Sequence, residues 1–211
     1  MDNWLDIYDR QYSGLLDLNS NGEKRGLRDN IYNRSRGYRL IFELLLQQKS
    51  TGFEIIETGT VRNPMNWKDG NSGFLFSELA RAHGGKVQSV DVDQAAVDRA
   101  NNFIGGEWYT SFCSDSVAWL AQQQNLDQID LFYLDSYDVE WFNDGPSADH
   151  HLREFQTIEP FIKPGAVVAI DDNAYLLDGR RTGKGRAIVE YLADKNIVPL
   201  YDQYQIIYQF Q

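Results

Sequence analysis

The chain has 211 residues, of which 42% are hydrophobic and 13% aromatic, enough to bury the core of one ordinary globular domain. Its formal charge of −11 argues against a nucleic-acid substrate, whose binding rests on neutralising phosphates with Lys and Arg, and against docking on an anionic membrane surface. The single cysteine, Cys113, excludes an internal disulfide and a cysteine-built zinc cage, so a small-molecule substrate is the expectation.

The start, Met1 to Asp6, lacks the basic stretch and apolar run of a signal peptide, and no stretch approaches the apolar length of a transmembrane helix. A cytoplasmic protein is expected. Residues 1–50 read as a polar arm that turns helical over 34–49, where Tyr38, Leu40, Ile41, Leu44 and Leu45 recur at roughly helical spacing. Asn19 to Gly22 reads as a loop. Such an arm would either cap the substrate side of the domain or join copies into a homo-oligomer.

From Phe53 to the end, over residues 51–211, strand and helix patterns alternate. Strands are predicted over 53–57, 87–91, 108–113, a segment ending at Asp135, and 166–171. Helices are predicted over 72–83, 94–103, 115–124, 148–162 and 184–195, with Gly84-Gly85 as a C-cap and Ser72 as an N-cap. This alternation predicts a parallel α/β sheet. The last two strand segments, 197–201 and 205–210, are too close for a parallel crossover, which needs about a dozen residues or more. They predict an antiparallel hairpin.

Acids mark the strand ends: Glu57, Asp91 and Asp93, Asp135, then Asp171 and Asp172. Ligands of open parallel sheets bind outside the carboxyl ends of the strands, so these acids share one rim. Glu57-Thr58-Gly59-Thr60 follows the first strand, and its glycine allows close backbone approach to a ligand. No G-x-G-x-x-G follows, which argues against a tight pyrophosphate cradle. Asp91 stands about where an acid accepts hydrogen bonds from ribose hydroxyls. Asp93 is assigned the plainer role of capping the next helix. Ser114-Asp115 opens the helix after the third strand, where Asp115 would either accept from an adenine amino group or favour the helix dipole.

Asp135, Asp171 and Asp172 would repel one another unless a cation compensates. Oxygen donors without His or Cys favour a hard ion, Mg²⁺ with Mn²⁺ and Ca²⁺ as alternatives. Asp172-Asn173 is the alternative register for the strand-five pair. Tyr137, Trp141 and Phe142 read either as an apolar substrate wall or as core. Arg180, Arg181 and Lys184 form a basic patch for an anionic substrate group or a solvated loop. His83, at a helix end before Gly84, is given no catalytic role.

On these residues the chain resembles the class I S-adenosylmethionine-dependent methyltransferases over about residues 50–211, and within them the metal-dependent O-methyltransferases of the catechol and macrocin types. The resemblance implies a Rossmann-like, doubly wound α/β sheet, mostly parallel, with the C-terminal antiparallel hairpin. By analogy Glu57, Thr58, Gly59 and Ser72 surround the methionine portion of S-adenosyl-L-methionine. Asp91 binds ribose, and Ser114 and Asp115 contact adenine. Asp135, Asp171 and Asp172 hold Mg²⁺, which orients and acidifies a substrate hydroxyl. Catechol-type enzymes carry a lysine three residues beyond the first metal acid; that position is Asp138 here, and His150, His151 and Lys184 are further candidates for the base. The expected catalytic residues are therefore Asp135, Asp138 and His151. Two alternatives keep the fold: a metal-dependent tailoring hydroxylase, and a donor-binding protein without catalysis.

Overall fold

In the computed structural model, which describes residues 3–18, 27, 34–64 and 66–211, five parallel strands form one side of a seven-stranded sheet. They are β1 (Phe53–Thr58), β2 (Gly85–Asp91), β3 (Tyr109–Cys113), β4 (Leu131–Leu134) and β5 (Val167–Ile170). A short hairpin follows, β6 (Asn173–Tyr175) and β7 (Arg181–Gly183), forming its own two-stranded sheet. The terminal pair is β8 (Tyr201–Asp202) and β9 (Ile206–Gln209). Strand order is β3-β2-β1-β4-β5-β9-β8, with β9 antiparallel to both β5 and β8. The expected parallel sheet closed by an antiparallel hairpin is thus the observed one.

Eight helices pack around this sheet in the described residues: α1 (Trp4–Gln11), α2 (Ser13–Leu18), α3 (Arg34–Gln48), α4 (Ser72–His83), α5 (Gln94–Phe103), α6 (Ser116–Leu120), α7 (Gly145–Ile158) and α8 (Arg186–Ala193). Strand side chains alternate between the sheet's two faces. Phe53, Ile55, Val87, Leu131, Tyr133, Val167 and Ala169 join Tyr38, Ile41, Phe42, Phe76 and Leu79 of α3 and α4 in one core layer. Ile56, Phe132, Leu134, Val168 and Ile170 join Leu120, Phe155, Ile158, Ile188 and Leu192 of α6, α7 and α8 in the other. The same alternation sends Glu57 toward α4 and Thr58 toward α7, so the end of β1 divides its polar groups between the two layers.

Several boundaries differ from expectation for local reasons. The arm is helical well before residue 34, because Asn3 caps α1 by accepting from the Leu5 N–H and Trp4 and Tyr8 bury themselves against Phe42. The expected loop at 19–22 lies outside the described residues. Gly84 alone is the C-cap of α4; Gly85 already belongs to β2. The stretch between the strand predicted to end at 171 and the helix predicted from 184 contains the β6–β7 hairpin. Its turn is closed by the Gly179 N–H donating to Leu176 O at 2.9 Å. Among the described residues no helix is long and apolar enough to cross a membrane.

Candidate active site

In the sheet order β1 and β4 are neighbours, yet the chain leaves β1 for β2 on one side and continues from β4 to β5 on the other. This is the reversal point at which open α/β sheets form their ligand crevice. Gly59 turns the chain there with φ +85°, its N–H donating to Val90 O at 2.8 Å. A Cβ at this position would stand 2.5 Å from the Asp135 carbonyl oxygen, so only glycine lets the β1 and β4 loops run this close. A cavity of about 470 Å³ opens above it, with Glu57, Gly59, Asn71, Ser72, Asp91 and Asp135 in its wall.

Glu57 is buried in that wall. The Ser72 hydroxyl donates to its Oε1, while its Oε2 has no hydrogen-bond partner. Burial pushes its pKa up to about 8, the Ser72 hydrogen bond opposing the rise and the Asp135 charge adding to it. Gly73 makes the approach of α4 possible, because a Cβ there would lie 2.7 Å from Glu57 Oε2. Ser72 is not the helix cap that was expected. Asn71 takes that place in the left-handed conformation, φ 48°, which frees the Ser72 hydroxyl for Glu57. The Asn71 side chain is buried, and both its oxygen and its nitrogen lack partners. Unpartnered buried polar atoms are costly, and here they belong to residues that line the cavity.

Asp91 accepts from the Thr60 N–H at 3.2 Å and the Asp93 N–H at 2.9 Å, which fixes its carboxylate at the cavity edge. Asp93 caps α5 as expected, accepting from the Ala95 N–H. A second cavity of about 330 Å³ continues the first, sharing Asp91, Val92, Ser136 and Tyr137 with it. Val90, Ser114, Asp115, Ser116, His150 and Arg153 complete its lining. Asp115 caps α6 through the Ala118 N–H at 2.9 Å, so it serves the helix as well as lining the cavity. Val92 is 72% and Tyr137 48% exposed, giving this end two open apolar surfaces.

Beneath the shared wall lies a polar cluster that sequence reasoning missed. Glu154, fully buried on α7, accepts from the hydroxyls of Ser116, Ser136 and Thr58, the last two at 2.6 and 3.1 Å. Burial alone would raise its pKa, but His151 and the hydrogen bonds from His150, Ser116 and Ser136 hold it down at about 2. Thr58 lines neither cavity; it ties Glu154 to the end of β4, also accepting from the Asp135 N–H at 3.2 Å. The missed signal was Glu154 at a position facing inward on α7.

Asp135, Asp171 and Asp172 do converge, but the compensating charge comes from the chain. Lys184 Nζ donates to Asp135 Oδ1, to the Asp135 carbonyl at 3.3 Å, and lies 2.9 Å from Asp172 Oδ2. Arg34 Nε donates to both Asp171 oxygens at 3.0 and 3.3 Å, and its Nη2 to Asp172 Oδ1 at 3.1 Å. The Tyr204 hydroxyl also donates to Asp172 Oδ1. This donor set does not fit a hard divalent ion, which needs near-octahedral oxygens at about 2.0–2.1 Å, since the oxygens face an ammonium and a guanidinium. Among the described residues no group of His, Cys, Asp or Glu is arranged to hold a metal. The alternative register fails too: Asn173 is spent on backbone carbonyls and on the Gly185 N–H.

Burial pushes Asp135 up to about 7, Lys184 opposing that and the charges of Asp171 and Asp172 adding to it. Burial alone would raise Asp172 too, but Lys184 and Arg34 hold it below the usual carboxylate range. Asp171 is raised by its burial despite Arg34, and it lines neither described cavity.

Of the other base candidates, Asp138 is engaged in a two-pronged ion pair with Arg62, both bonds 2.9 Å, at the exposed mouth of the larger cavity. His151 is fully buried, its Nδ1 2.7 Å from Ser147 O, and it lines neither cavity. Burial lowers its pKa to about 4. The structure thus places His151 outside both described cavities. Lys184 is buried and paired, and its neighbours raise its pKa against the effect of burial; it is not a base. The expected basic patch is dispersed: Arg180 pairs with Asp178 and Arg181 with Asp202. Trp141 packs on Tyr204 in a small core cluster, whereas Phe142 is exposed.

No family model matches the chain, and no curated protein sequence matches it. Solved structures do. A TDP-rhamnose 3′-O-methyltransferase of calicheamicin biosynthesis superimposes with a TM-score of 0.53 at 15% identity, over 87% of this chain and 81% of that one. The N-methyltransferase NodS from Bradyrhizobium japonicum gives 0.50 at 14% identity, over 85% and 95%. With its strand order, its crevice at the β1–β4 reversal and its antiparallel β9, the chain has the Rossmann-like α/β fold of the methyltransferases.

Proposed function

We propose that the chain is an S-adenosylmethionine-dependent methyltransferase that transfers to a hydroxyl of a small acceptor, with Asp135 receiving the acceptor's proton. The observation that carries this reading is the continuity of the two cavities. One cleft presents Glu57, whose Oε2 lacks a partner, and Asn71, then Asp91, then Ser114 and Asp115, while Asp135 stands in the wall of the larger cavity. The donor, when bound, supplies a methyl group made electrophilic by a sulfonium. Its amino-acid end suits Glu57 Oε2 and Asn71, which lack partners in the chain. Its ribose suits Asp91, and its base suits the space between Val92 and Tyr137.

Asp135 Oδ1 is engaged by Lys184, which orients the carboxylate and leaves Oδ2 for the acceptor. As the acceptor oxygen gains the methyl carbon, its proton passes to Asp135, and the electron pair of the broken carbon–sulfur bond stays on sulfur. General-base assistance of this kind contributes typically about 10²–10⁴-fold. No step runs through a metal. An amine acceptor is the second reading, favoured by a larger cavity in which Asp69, Asp91, Asp93, Asp135 and Asp138 stand with Arg62.

Calorimetry with S-adenosylmethionine tests the donor half: binding is expected, and Asp91→Ala should weaken it. A chain that binds no donor would sink the proposal. Screening sugar-like hydroxyls against amines tests the acceptor half. On whichever acceptor is turned over, Asp135→Asn should bind donor normally and lose roughly 10²-fold or more in kcat.

A further inference from the structure

Lys184 is the least expected group at the rim. It follows Gly183, whose φ is +117° and whose missing Cβ would fall 2.3 Å from the Asp172 carbonyl oxygen. It precedes Gly185, whose N–H is bound by Asn173 Oδ1 at 2.7 Å and where a Cβ would meet that same oxygen. The Lys184 N–H itself donates to Asp172 O at 3.1 Å. Two glycines and two backbone hydrogen bonds thus fold the end of the β6–β7 hairpin onto the tip of β5. The lysine side chain is only 1% exposed. An ammonium has three protons to donate, and Nζ has three oxygen neighbours: Asp135 Oδ1, Asp135 O and Asp172 Oδ2.

We propose that Lys184 is a built-in counter-cation that takes the place of a divalent metal at the Asp135–Asp172 cluster, so that Asp135 is positioned and the acceptor side organised without metal. The meaning of "acceptor side" rests on the methyltransferase reading; the charge substitution itself does not. Lys184 bridges the ends of β4 and β5, where the carboxylates would otherwise call for a cation. Arg34 and Tyr204 occupy oxygens of Asp171 and Asp172 that would complete a coordination shell. A divalent ion entering this cluster would meet an ammonium at contact distance, a repulsion strengthened by burial. Lys184 is accordingly a positioning residue.

The test is Mn²⁺ binding to the metal-free 211-residue chain, followed by loss of the free-ion paramagnetic resonance signal. Wild type is expected to show no site that Asp135→Asn removes. Lys184→Ala should acquire one, on the order of tenfold tighter or more than any wild-type binding, and the double variant Lys184→Ala with Asp135→Asn should lose it. A wild-type Mn²⁺ site abolished by Asp135→Asn would overturn the proposal, as would a folded Lys184→Ala that gains none. If Lys184→Ala does not fold, the wild-type comparison with Asp135→Asn still decides. Donor calorimetry in chelator separates the two readings. Donor binding unaffected by chelator is the expected result, and a requirement for added metal would count against the substitution. No donor binding under any condition would remove the methyltransferase reading while leaving the Mn²⁺ result intact.

Discussion

Glu57 is a carboxyl held in two minds. Burial raises its pKa, the charges of Asp135 and Asp91 add to the rise, and Ser72 and Ser89 partly stabilise its ionised form. With a pKa of about 8 it is mostly protonated at neutral pH in the free chain. A bound ammonium favours the ionised form, so donor binding below pH 8 must release a proton. The sign follows from linkage: affinity rises as pH rises toward about 8, by up to tenfold per unit. Above that it levels off and then falls, because an α-amino group itself deprotonates near 7.7–8.0. Calorimetry at pH 7 in two buffers of different ionisation enthalpy should therefore report close to one proton released by wild type and close to none by Glu57→Gln. Equal proton release by the two chains would show that Glu57 does not face the ammonium.

At the scale of elements, the ion pairs divide by burial. Arg62–Asp138 joins the loops after β1 and β4 across the cavity mouth, but its side chains are 56% and 71% exposed, and such pairs contribute at most about 1 kcal/mol. Arg34 is different. It tethers the first turn of α3 to the end of β5, where the Asp171 side chain is 1% exposed. Removing one partner of a buried pair costs about 3–5 kcal/mol, because the other charge is left uncompensated. Arg34→Met should lose stability of that order in urea unfolding, whereas Arg62→Ala should stay within about 1 kcal/mol. Asp171→Asn placed on top of Arg34→Met should recover part of the loss. If Arg34→Met unfolds at the wild-type midpoint, the tether is not structural.

These same elements show what was legible in the sequence. The strands were, because apolar runs such as Val167 to Ile170 are bounded by Lys163-Pro164-Gly165 and by acids, and those acids had to share the carboxyl rim of a parallel sheet. That placement put the acids at one rim, and Asp91 and Asp115 do line the two cavities there. The charge pairing was not legible. Lys184 lies 49 residues from Asp135, and Arg34 lies 137 residues from Asp171; contacts at that separation leave no periodic trace. Like-charge repulsion was a sound reason to demand a cation, but it could not say that the cation was covalently part of the chain. The β6–β7 hairpin was readable in principle, since Asp178-Gly179 is a strong turn signal. Strands of three residues simply carry too little alternation to be seen beside it.

For the whole molecule the governing quantity is charge. The chain carries −11, and part of that charge stands at the rim of its cleft, where Asp69, Asp91 and Asp93 join the paired Asp135 and Asp138. A field of this kind raises the local concentration of cations and steers their approach. S-adenosylmethionine at neutral pH has one net positive charge, from sulfonium and ammonium against one carboxylate, whereas the demethylated product has lost the sulfonium charge and is neutral overall. The acidic cleft should therefore attract the donor electrostatically more than the product, favouring exchange of product for donor after each turnover. Salt distinguishes this from contact complementarity, since the Debye length shrinks from about 30 Å at 0.01 M to about 3 Å at 1 M ionic strength. Across that range the association rate of the donor in stopped flow should fall, while that of S-adenosylhomocysteine should change far less and both dissociation rates only weakly. Parallel salt dependence for donor and product would mean that the field plays no part in telling them apart, and that the cleft selects the donor through Glu57, Asn71 and Asp91 at contact range alone.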